Sequence, residues 1–128
     1  MGGKAHIHEP PPQPGITKVL DWVVESIEVE ELTIPGVGFL VAKDLIDRAE
    51  VGKEKYGTYL MTHNGRDALM DAYQEACDLL MYLGQCILER DNDLQLQLLF
   101  TQVEMILLQL RSRLNVPDAK SPKFESDR

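Results

Sequence analysis

The sequence predicts an all-α protein, a four-helix bundle-like fold that assembles as an oligomer. Three observations predict it. Apolar residues recur at spacings of three and four through most of the chain between Thr17 and Leu114. Nowhere do Val, Ile and Thr alternate with polar residues at the period of two that a half-buried strand needs. Aromatics make up only 6% of the residues, so aliphatic side chains carried on helices must fill the core.

A chain of 128 residues fits one domain. It is expected over 16–115, flanked by a flexible arm at 1–15 and a disordered tail at 116–128. The arm, "MGGKAHIHEPPPQPG", is too rich in Gly and Pro to pack. Its His6 and His8 are read as histidines of a mobile tail and not as metal ligands. The tail, "VPDAKSPKFESDR", is polar and Pro-interrupted.

The first helix is expected from Thr17 to about Glu31, with Val19, Leu20, Val23, Val24 and Ile27 at helical spacing around Trp22. "TIPGVG" at 33–38 ends it. The second runs from about Phe39 to Tyr56, where Val41, Leu45, Ala49, Gly52 and Tyr56 share one side. "KYGTYLMTHNG" then forms a loop, and Asn64 is the expected N-cap of a third helix, about Arg66 to Arg90, with Asp67 as its capping-box partner. "RDND" interrupts the pattern, and Asp91 or Asn92 is expected to cap a fourth helix from Asp93 to Leu114.

The fourth helix is apolar on two sides. Leu96, Leu99, Val103, Ile106, Leu110 and Leu114 occupy one face, and Leu94, Leu98, Met105 and Leu108 lie nearly opposite. Such a helix needs two partners. Its own chain supplies one, and a second copy is the simplest other, which predicts a homodimer or homotetramer.

Charge and cysteines narrow the function. A net charge of −8 and a pI near 4.8 argue against nucleic acid and against anionic membrane surfaces as partners. Cys77 and Cys86 stand nine residues apart on one helix, roughly 13 Å along its axis, too far for a disulfide. With no apolar run after a basic start, no signal peptide is expected, and the protein is read as cytoplasmic.

The third helix holds an anomaly. Within "DAYQEACDLLMYLGQ", Asp71, Glu75, Asp78, Tyr82 and Gln85 fall in a stripe roughly 80° wide, while most other positions are apolar. That predicts a helix at the centre of a bundle. Three acids at i, i+4 and i+7 repel one another, and burial would raise the cost. The stripe therefore faces water or meets a cation, for which Mg²⁺, or else Mn²⁺, suits carboxylate oxygens. The second helix carries a matching row, Asp47, Glu50 and Glu54, within roughly 60° of arc. Lys53, Lys55 and Arg66 lie close enough in sequence to add positive charge for substrate phosphates.

"RAEVGKEKYGTYL" at 48–60, followed by "HNGRDALMDAYQEACDLLMYLGQ" at 63–85, resembles the small MazG-like proteins often found in phages, which belong to the all-α nucleoside triphosphate pyrophosphohydrolases. Their hallmark is ExxE on one helix and ExxD on the next. Glu75-Ala-Cys-Asp78 matches the second half. The first half has no ExxE. Asp44-Leu-Ile-Asp47 and the looser Glu50…Glu54 pair stand nearest, and helical facing favours Glu50 and Glu54. The resemblance implies Mg²⁺-dependent cleavage of a nucleoside triphosphate to monophosphate and pyrophosphate in the cytoplasm, the host's if the gene is a phage's. It implies Glu50, Glu54, Glu75 and Asp78 as metal ligands, with Glu50, Glu54 and Glu75 catalytic. Lys53 and Arg66 would contact phosphate, and Tyr56 and Tyr82 would line a base pocket unless they pack in the core. The missing ExxE leaves open a nucleotide-binding protein that sequesters its ligand without turnover. A helical interaction protein with solvated acidic rows is the other alternative.

Overall fold

The apolar repeats fold as four helices, α1 (Val19–Val29), α2 (Val37–Tyr56), α3 (Ala68–Glu89) and α4 (Leu94–Arg113), in a computed structural model that describes residues 11, 15–29, 36–91 and 93–114. No strand occurs among the described residues beyond one isolated antiparallel bridge between Lys18 and Met61. The protein is therefore all-α. Most of the expected arm, the tail beyond Leu114, His6 and His8, the break at 33–35 and the proposed cap Asn92 lie outside the described residues.

The chain divides into two compact units, Pro10–Arg66 with α1 and α2, and a second that begins at Asp67 and holds α3 and α4. The division falls inside the single domain expected over 16–115.

In the first unit α1 packs on α2. Val19, Leu20, Val23, Val24 and Ile27 are all partly buried, as their spacing requires, whereas Trp22 is 70% exposed. On α2, Gly38 and Ala42 are buried and Val41, Leu45, Ala49 and Gly52 half-buried. Tyr56, expected on that same side, is exposed. The helix stops at Gly57, whose φ of 81° is open to glycine and whose N–H donates to Lys53 O at 2.7 Å.

The loop after α2 is more ordered than its sequence suggests. Ile16 N donates to Thr62 O, Thr62 N to Thr17 O, and Val19 N to Leu60 O, at 2.9, 2.8 and 3.0 Å. Thr62 Oγ1 also accepts from Thr17 N at 3.0 Å. Gly15 lies against this pairing so closely that a Cβ there would fall 1.7 Å from Thr62 O. Gly15, inside the stretch read as a flexible arm, is thus part of the packed structure.

In the second unit α3 packs on α4. The caps differ from expectation. Asp67 caps α3, its carboxylate accepting from Met70 N at 3.1 Å. Asn64 instead accepts from Arg66 N at 3.2 Å and is buried, so it holds the turn before the helix. Asp93 caps α4, accepting from Gln95 N and Leu96 N, where Asp91 or Asn92 was expected. Both corrections have one cause: a cap must leave the helical conformation with its side chain one turn below the N2 and N3 amides, and several Asp and Asn in a row satisfy that in sequence alone.

Candidate functional site

Glu50 and Glu54 lie one turn apart on α2, and Glu75 and Asp78 one turn apart on α3; all four are exposed. Asp71, at the start of the α3 row, is half-buried. The four proposed ligands are thus divided two and two between the units. No group of three or more His, Cys, Asp or Glu that could hold a metal ion occurs among the described residues. The donor chemistry still suits a hard cation, since all four are carboxylates with access to water.

On α2, Glu50 accepts a hydrogen bond from the Tyr59 hydroxyl. Two ammonium groups lie over the Tyr59 ring, Lys18 at 3.9 Å and Lys53 at 4.7 Å from its centroid. Lys18 reaches Asp21 as well, at 3.8 Å. The Glu50 carboxylate holds the proton on Tyr59 by this hydrogen bond, and burial and the nearby negative charge of Glu50 and Asp21 push the phenol further in the same direction, above its ordinary value of 10.0. Sequence reasoning passed over both Tyr59 and Lys18. The signal lay in Tyr59 following a helix-ending glycine, where the chain turns back toward the helix it has left.

The other candidate substrate contacts are placed as follows. Tyr56 is 49% exposed with Lys55 Nζ 5.1 Å from its ring centroid, and Tyr82 is 65% exposed, so neither is a core residue. Arg66 is half-buried in the turn before α3. Lys43 pairs with Asp47 across one turn at 3.1 Å, an exposed ion pair on α2.

The α3 stripe runs on past Tyr82 to Gln85, whose amide donates to Glu89 at 3.0 Å. Beside this end lies an apolar groove of about 580 Å³ between α3 and α4, lined by Leu80, Met81, Gly84, Leu88 and Phe100 with Gln85 and Glu89 at its rim. Within its own unit α3 is not enclosed as a bundle centre would be: Leu79, Met81 and Leu88 are exposed. Two helices cover only one side of each other, so an apolar arc wider than one neighbour stays open. The cysteines form no disulfide with each other; both are half-buried. Tyr73 is raised above its ordinary pKa, chiefly by burial and then by Cys77 beside it.

No protein family, curated protein or solved structure was found to match the chain. Among the described residues, no helix is long and apolar enough to cross a membrane.

Proposed function

We propose that the chain is a metal-dependent nucleoside triphosphate pyrophosphohydrolase that acts in the cytoplasm as a homodimer or homotetramer. The observation that carries this reading is the exposed pair Glu75 and Asp78, one turn apart on α3 in the ExxD spacing, with the exposed pair Glu50 and Glu54 on the preceding helix. Together these carboxylates would hold Mg²⁺ or Mn²⁺, which would offset the charge of the triphosphate. Lys53 and Arg66 would meet the phosphates, and exposed Tyr56 and Tyr82 offer ring faces to a base. The reaction consumes one water, breaks the α,β-phosphoanhydride bond and yields monophosphate and pyrophosphate. A carboxylate not occupied by the metal takes the water's proton, a role that fits Glu50 or Glu75.

One observation favours a second reading. Glu50 is already engaged by the Tyr59 hydroxyl, which suits a protein that binds nucleotide without turnover. A panel of NTPs and dNTPs with Mg²⁺ or Mn²⁺, assayed for pyrophosphate, separates the two. Pyrophosphate release that Glu75→Gln abolishes, with helical circular dichroism intact, supports the enzyme. Tight binding with no product supports the binder. No binding, and no rise in melting temperature with either metal, overturns both.

A further inference from the structure

The second apolar face of α4 has a shape that specifies its occupant. Leu94, Leu98, Thr101, Met105, Leu108 and Ser112 follow one another at spacings of four, three, four, three and four, the alternation of a helix–helix seam. All six are exposed, with Leu94, Leu98, Met105 and Leu108 at 71, 66, 52 and 65%. The two hydroxyls in the seam are already satisfied inside their own helix: Thr101 Oγ1 donates to Gln97 O at 3.1 Å and Ser112 Oγ to Gln109 O at 2.7 Å. They can be covered without stranding a donor.

We propose that this seam pairs with the same seam of a second copy, antiparallel, about a two-fold axis passing level with Val103. In that register Leu94 meets Ser112 of the other copy, Leu98 meets Leu108, and Thr101 meets Met105. Each pair sets a large side chain against a small one or two leucines against each other, so the faces interlock without a void. The ends are complementary in charge. Arg113, in the last turn, comes level with Asp93, the N-cap of the other copy's helix, and the helix dipoles run in opposition. A parallel pair would instead stack Met105 on Met105 and Ser112 on Ser112, and would align the helix dipoles. On the flanks Gln102 meets its own copy on one side, and Glu104 its own on the other, a small repulsion. The proposal does not depend on the catalytic reading.

The test uses the full chain in light scattering and sedimentation. The wild type is expected at the mass of two or four copies. Leu98→Glu and Leu108→Lys are each expected to halve that mass while keeping the helical circular dichroism, since both positions are exposed in the single chain. Mixed in equal amounts, the two variants are expected to regain the wild-type mass, because one seam pair becomes Glu with Lys and the other stays Leu with Leu. If either variant fails to fold, Thr101→Glu and Met105→Lys, which face each other in this register, replace the pair. A monomeric wild type, or single variants that keep the wild-type mass, overturns the seam. Variants that separate but do not recombine overturn the antiparallel register.

Discussion

The Tyr59 hydroxyl donates to the carboxylate of Glu50, nine residues back along the chain and across the turn that ends α2. The contact joins the loop to α2, which carries the candidate ligands Glu50 and Glu54, and Lys18 and Lys53 over the ring hold it there.

Ionisation of Tyr59 reports that bond. Its folded pKa is raised, so its contribution to stability is complete below the ordinary value of 10.0 and is lost as pH rises through the higher folded value. Glu50→Gln is expected to bring the Tyr59 ionisation back toward 10.0, read from the ring carbon resonance in an NMR pH titration. The Tyr73 resonance, raised mainly by burial, should not move with it.

Two glycines are expected to respond oppositely to alanine. Gly15→Ala places a methyl 1.7 Å from the backbone oxygen of Thr62, which accepts from Ile16 N, and should cost roughly 1–3 kcal/mol. Gly52→Ala puts its methyl where nothing lies within 4 Å, in a helix interior, and should stabilise by about 0.5–1 kcal/mol. Urea denaturation of each variant measures both signs.

The caps make a second stability test. Asp67→Ala and Asp93→Ala should each cost roughly 1 kcal/mol by thermal or chemical unfolding, because each leaves first-turn amides without a side-chain acceptor. Asp91→Ala, at the position the sequence favours, should be near neutral for the stability of a single chain.

If the protein is a pyrophosphohydrolase, Glu54→Gln and Asp78→Asn should each lower kcat/KM by about 10²-fold or more. Lys43→Ala should leave it unchanged, since that ammonium only pairs with Asp47 on the surface. Steady-state pyrophosphate release at saturating Mg²⁺ reads both. Equal losses in all three variants would point to a general effect on folding.

Periodicity, with breaker and capping residues, determined the four helices, their limits to within two residues wherever those limits are described, and the packed face of α1 and, except for Tyr56, of α2. Each of those faces needs only one neighbour, and an apolar stripe states where that neighbour must be. The same pattern on α4 announced two faces, and the structure buries Val103 and Leu114 of one and half-buries its Leu96 and Leu110, while Leu99 and Ile106 at its border are exposed along with Leu94, Leu98, Met105 and Leu108 of the other. The acidic rows could be read as rows because side chains one turn apart share a face. Three things were decided only by tertiary structure. Asp67 and Asp93 cap their helices in place of equally suitable neighbours. The 15–19 segment pairs with 60–62 and brings Lys18 to Tyr59. Gln74, a polar residue that periodicity does not place, is the most buried side chain among the described residues. Local spacing fixes which way a side chain points from its own helix. What it then meets depends on a chain segment tens of residues away, whose approach is set by the packing of the whole unit.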